Sequence, residues 1–178
     1  MPPETIKIML VEDNPGDARL VQEMLRKGYD PPIQLLHVTR LAEAIECLAL
    51  QPYSAILLDL SLPDGHGLET VKRIGNAAPD VPIVVMSGLI DEEIAIASVQ
   101  AGAQDYLVKG NADPDLLVRS IQYAIERHRM QRRLHAAQQA LQQQAEREAL
   151  VNRITNALNS NLDPQRVLDE IVRQTASP

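Results

Sequence analysis

The chain contains no Phe and no Trp, and its only aromatics are four Tyr in 178 residues. Whatever core it buries must therefore be aliphatic, and an apolar content of 45% is enough to build one. A single cysteine, Cys47, excludes an internal disulfide. With no secretory signal pattern at the start, this is the usage of a chain kept in a reducing cytoplasm. Cys47 falls on an apolar helical stripe, where a free thiol is expected as a core residue. No apolar run approaches the roughly 20 residues that a membrane helix needs. Positive charge is scarce where it matters. Residues 1–125 hold 9 Lys and Arg against 18 Asp and Glu, a balance of −9. Residues 126–150 have a net charge of +2 and residues 151–178 a net charge of zero. So acidic a first part argues against nucleic-acid binding and fits a basic partner or a metal.

What is present is a set of short apolar runs. Ile6–Val11, Ala55–Leu58, Val81–Met86 and Tyr106–Val108 stand out, with a weaker run at Ile33–Val38. The runs at 6, 55 and 81 are continuous rather than alternating, which predicts strands covered on both faces. Helical spacing fills the intervals. Ala18, Val21, Met24 and Leu25 make one stripe, and Leu41, Ala44, Ile45 and Leu48 a second. Leu68, Val71 and Ile74 make a third, and Ile94, Ala97, Ser98 and Ala101 a fourth. Five βα units in about 125 residues predict a parallel sheet with helices on both faces.

A last helix is expected from Asp113-Pro114, where Asp caps and Pro takes the first helical position. Neither Gly nor Pro occurs from 115 to 163, so nothing breaks it before about Asn159. A heptad fits this stretch, with Leu134, Leu141 and Glu148 on one seam position and Met130, Ala137, Gln144, Val151 and Leu158 on the other. That pattern predicts a weak, parallel two-stranded coiled coil with polar breaks at Gln144 and Glu148. After Leu162-Asp163-Pro164, the stripe Val167, Leu168, Ile171 and Val172 has no strand to cover it. It reads as the first helix of a further domain, with a simple cap on the coiled coil as the alternative.

Ligands of open parallel α/β sheets bind at the carboxyl ends of the strands. The first strand ends on Glu12-Asp13, the third on Asp59, the fourth on Ser87 and the fifth on Lys109. A lone acid at such a place is usually a cap or a solvated loop residue. Three together repel one another and cost stability unless a cation offsets them. Oxygen-only ligands on loops suit Mg²⁺, which retains waters and adds phosphate oxygens.

These residues resemble the response-regulator receiver domain of two-component signalling, over residues 5 to about 126. The resemblance implies a flavodoxin-like (βα)₅ doubly wound parallel sheet, strand order 2-1-3-4-5. It makes Asp59 the phosphoacceptor. It gives Mg²⁺ the ligands Asp13, Asp59 and the main-chain carbonyl of Ser61, with Glu12 reaching the metal through water. Ser87 and Lys109 bind phosphoryl oxygens, and Ser87 and Tyr106 form the switch. The loop "LPDGHGLE", Leu62 to Glu69, matches as well. The family usually places Pro after the lysine, whereas this chain has Gly110. The implied partner is a sensor histidine kinase or phosphotransfer protein, and the implied catalysis is confined to the domain's own phosphorylation and dephosphorylation.

The expected organisation is a receiver domain at 5–126, a signalling helix at 127–158 that forms a parallel homodimer, and a short helix at 159–178. The segment "LVNRITNALNSNLDPQRVLDEIV" resembles the opening helix of a GAF-type sensory domain, which would make the chain the N-terminal part of a larger signalling enzyme. A non-cycling docking module is the other alternative, but no site residue is missing. His128 and His135 lack the acid and proline that usually follow a kinase phosphoacceptor histidine. The arginines around them fall on more than one helix face, as in a solvated coil.

Overall fold

The computed structural model describes residues 6–28, 33–88, 92–110 and 113–161, with side chains of the last segment as far as 156. Strand β1 (Ile6–Val11) is followed by α1 (Pro15–Gly28), β2 (Ile33–Val38), α2 (Leu41–Leu50) and β3 (Ala55–Asp59). A two-residue hairpin, β4 (Ser61–Leu62) and β5 (Gly65–His66), precedes α3 (Leu68–Ala77). Then come β6 (Ile83–Ser87), α4 (Glu92–Gln100), β7 (Asp105–Val108) and α5 (Pro114–Asn161). The five long strands pair in parallel in the order β2-β1-β3-β6-β7. Leaving aside the hairpin, this is the expected 2-1-3-4-5 order of a flavodoxin-like sheet.

The continuous apolar runs are explained by burial on both faces. Every residue of β3 and of β6 is buried. Alternate residues of one strand enter different cores, as the two-residue period of a strand requires. Met9, Val11, Ile56 and Leu58 pack with Leu41 and Ala44 of α2 and Val71 and Ile74 of α3. Ile8, Leu10 and Leu57 pack on the other face with Val21 and Leu25 of α1 and Leu117 and Ile121 of α5. Cys47 is half-buried against the first of these layers. Parallel strands need such crossover helices, so both faces are covered without an added domain.

The hairpin was not expected from the sequence, and it has a task. Helix α2 begins after Arg40, whose side chain makes no cap. Asp64, in the hairpin turn, supplies it instead. The Leu41 and Ala42 N–H groups donate to its two carboxylate oxygens at 2.8 and 2.9 Å. Gly65 lets the turn approach this closely, since a Cβ there would lie 2.8 Å from Thr70 Cγ2 and 2.9 Å from Leu41 Cδ2. We expect Asp64→Ala to lower stability by about 0.5–2 kcal/mol in urea denaturation, the usual range for a lost cap. Burial alone would raise the Asp64 carboxyl, but the N–H bonds from Ala42 and Leu41 hold it below its ordinary value. A carboxyl depressed on folding stabilises above its unfolded pKa and loses that contribution as pH falls through the folded one. The gap between wild type and variant is therefore full at neutral pH and closes in acid. A gap independent of pH would show that Asp64 does not cap as a carboxylate.

Helix α5 opens as expected, with the Leu116 N–H donating to Asp113 Oδ1 at 2.7 Å. Ser120 Oγ lies 2.5 Å from Asp105 Oδ2, fixing the helix to the start of β7. The chain divides into two compact units, Met1–Gln131 and Arg132–Pro178. In the second unit every described side chain, 132 to 156, is exposed. Met130, Leu134, Leu141 and Val151 of the heptad are exposed, and so are Leu150 and Ile154, which the seam does not include. Leu158 of the seam and the apolar stripe from Val167 lie outside the described side chains. Among the described residues no helix is long and apolar enough to cross a membrane.

Candidate functional site

Register brings the site together. Val11 pairs with Leu58, so Glu12, the next residue, stands beside Asp59. Asp59 pairs with Met86, and Ser87 with Val108, so Lys109 follows directly beyond the rim. The Lys109 N–H donates to the Ser87 carbonyl oxygen at 2.7 Å, which extends that pairing by one residue. Glu12 is fully buried, Asp59 and Ser87 are buried, and Asp13 is exposed.

The Lys109 ammonium is the centre of the arrangement. Its Nζ lies 2.5 Å from Glu12 Oε2, 3.0 Å from Asp59 Oδ2 and 3.0 Å from Asp17 Oδ2. Burial opposes its charge, but hydrogen bonds to Glu12, Asp59 and Asp17 outweigh burial and push its pKa well above the lysine range. Burial raises the Glu12 carboxyl, and the charge of Asp59 adds to the rise. Bonds from Lys109 and from the Asn14 N–H partly offset it. That N–H donates to Glu12 Oε1 at 3.0 Å. His37 Nε2 donates to the Glu12 carbonyl at 2.8 Å, holding the backbone of the acidic pair.

Glu12, Asp13 and Asp59 each offer a carboxylate oxygen, and these oxygens lie within 4.8 Å of one another. Three hard oxygen donors at that spacing fit a divalent cation of the Mg²⁺ kind. Ser61 is exposed, two residues beyond Asp59, at the start of the hairpin. Tyr106 is half-buried in β7, paired in register with Val85 and packed against the core layer of α2 and α3. Gly110 has φ +85°. A proline ring fixes φ near −65°, so the glycine is required by a backbone that proline cannot adopt.

Asp17 was missed by listing strand ends, because it lies on the helix that follows. The available signal was its place in the first turn of α1, which starts at the same rim.

The sequence model of the response regulator receiver domain family matches residues 8–122. The hydrogenase transcriptional regulatory protein HoxA of Cupriavidus necator is 34% identical over 115 residues, 64% of this chain and 24% of HoxA. The chain spans between 23% and 54% of the length of the curated relatives it matches. Among solved structures, the Mn²⁺-bound form of response regulator Rcp1 is 31% identical with a TM-score of 0.55, covering 66% of this chain and 91% of that one. A CheY-like receiver domain protein of Methanospirillum hungatei shares the fold at 19% identity and a TM-score of 0.62, covering 72% of this chain and 99% of its own. With the sheet order, the acidic rim and the lysine each in place, the chain belongs to the response regulator receiver domain family of two-component systems.

Proposed function

We propose that the chain accepts a phosphoryl group on Asp59 from a histidine kinase or phosphotransfer protein. The observation that carries this reading is the buried Asp59 carboxylate 3.0 Å from the Lys109 ammonium. An Asp59 oxygen attacks phosphorus, the P–N bond of the donor phosphohistidine breaks, and the imidazole keeps the bonding electrons. Phosphoryl transfer has a loose transition state, so positioning and charge neutralisation do most of the work. Lys109 offsets the negative charge brought by donor and acceptor. Asp13, Asp59 and the Ser61 main-chain carbonyl would hold Mg²⁺, with Glu12 acting through water; the ion supplies charge neutralisation at the phosphoryl oxygens. Attack of water on the acyl phosphate regenerates Asp59, so the chain catalyses only its own phosphorylation and dephosphorylation. Ser87 donates to the new phosphoryl oxygens, and Tyr106 is the second part of the switch.

Incubation with Mg²⁺ and acetyl phosphate tests the reading. The intact mass should rise by one phosphoryl group, borohydride trapping should locate it at Asp59, and chelation of the metal should suppress it. No incorporation at Asp59 from either acetyl phosphate or a phosphorylated kinase would sink it.

The exposed heptad residues Met130, Leu134, Leu141 and Val151 support a parallel homodimer through residues 127–158. Light scattering should then give twice the monomer mass, and Leu134→Glu with Leu141→Glu should return it to the monomer. A monomeric mass for wild type at high concentration, with and without beryllofluoride, would end this part of the reading. A kinase partner and a lone cysteine support a cytoplasmic site of action.

A further inference from the structure

Asp17 has a role that neither the fold nor the cap of α1 requires. Pro15, Gly16 and Asp17 are the first three residues of α1. Asn14 caps it, its Oδ1 accepting the Gly16 and Asp17 N–H groups at 2.8 and 3.3 Å. An acid at the third helical position commonly reaches back to the N–H of the capping residue. Here that N–H is already taken by Glu12 Oε1. The Asp17 carboxylate turns instead to Lys109, 92 residues away in sequence.

An ammonium has three N–H donors. The Lys109 Nζ is in ion-pair contact with three carboxylates, Glu12, Asp59 and Asp17, at 2.5, 3.0 and 3.0 Å, and it donates a hydrogen bond to Asp17 Oδ2. A phosphoryl oxygen can engage Lys109 only when one carboxylate gives up its share. The three are unequal, for the side chains of Glu12 and Asp59 are 1% and 7% exposed and that of Asp17 is 39% exposed. Stripping a buried carboxylate of its cation is costly, whereas a rim carboxylate is rehydrated at once. Asp17 is the one that lets go.

We propose that Asp17 is a positioning residue that occupies the Lys109 donor in place of the phosphoryl group and yields it when that group arrives. This rests on the receiver reading of the site. Asp17 thereby weakens the site's hold on incoming anions without taking part in the chemical step. Its competition is local, through one ion pair, and not a general repulsion by acidic surface.

The test compares wild type, Asp17→Asn, Asp17→Glu and Glu23→Gln, all as the full chain with saturating Mg²⁺. Glu23 is an exposed acid of the same helix, paired with Arg26 and remote from Lys109. Beryllofluoride binding is measured by calorimetry, and acetyl phosphate labelling as a half-saturating concentration and a maximal rate. Asp17→Asn should bind beryllofluoride about 2- to 5-fold more tightly, the range of a partly exposed ion pair. The half-saturating acetyl phosphate concentration should fall by the same factor with the maximal rate unchanged. Asp17→Glu and Glu23→Gln should match wild type. Unchanged or weaker binding in Asp17→Asn, a lower maximal rate, or an equal gain in Glu23→Gln would overturn the proposal. If wild type itself takes no label at Asp59, the receiver reading fails; if wild type is labelled and Asp17→Asn is indistinguishable from it, only the role of Asp17 fails.

Discussion

Asp59→Asn is expected to lose phosphorylation by at least about 10³-fold, measured as label incorporated from acetyl phosphate in Mg²⁺. An amide oxygen is a poor nucleophile, and it surrenders one of the clustered oxygens within 4.8 Å that suit the metal. The substitution should not do this by unfolding the protein. Lys109 keeps Glu12 and Asp17 as partners. Removing one carboxylate from a crowded rim relieves repulsion. The variant should therefore melt at or above the wild-type temperature while its labelling disappears. Labelling at the wild-type rate would mean that another acid of the rim is the acceptor. Loss of labelling with a collapsed melting transition would leave the role of Asp59 to be read from a second variant, Asp59→Glu, which keeps the charge but displaces the oxygens.

Lys109→Ala should have the largest effect on stability, about 3 kcal/mol at neutral pH without metal. Lys109 is the cation of two buried carboxylates, and removing one partner of a buried pair costs about 3–5 kcal/mol. The pH dependence has a definite sign. Burial and the charge of Asp59 raise the Glu12 carboxyl, and the bond to Lys109 partly holds it down. Without the lysine the folded-state pKa moves further above the unfolded one. The folded variant then binds a proton that the unfolded chain lacks, and its stability falls as pH rises through that interval. Urea denaturation should show a deficit that is smaller near pH 5 than near pH 7.5. Added Mg²⁺ should narrow it at neutral pH by replacing the missing positive charge. A deficit below about 1 kcal/mol, or one that ignores both pH and Mg²⁺, would mean that the three carboxylates are relieved by water rather than by Lys109.

The sheet was legible because its central strands are buried on both faces, and burial writes itself as continuous apolar runs. The ends of those runs then located Glu12, Asp59, Ser87 and Lys109, since parallel register aligns strand ends. Local rules could not reveal what depends on distant residues. The cap of α2 comes from Asp64, on a hairpin too short to leave an alternating pattern. Asp17 lies on a helix rather than at a strand end, and its partner is separated from it by 92 positions. The substitution of Gly110 for the family's proline was visible, but its meaning lay in a backbone angle. The heptad placed Met130, Leu134, Leu141 and Val151 on one seam, and it had no place for the exposed Leu150 and Ile154.

The sheet also partitions the interior into two mainly aliphatic layers that, among the described residues, have no buried side chain in common. Val71 and Ile74 belong to one, Val21 and Ile121 to the other. Substitutions on opposite sides fall in separate layers, so their free-energy effects should sum, while pairs within a layer should interact. For protein engineering, that makes each face an independent module. Volume can be redistributed beneath α1 and α5 without renegotiating the packing beneath α2 and α3.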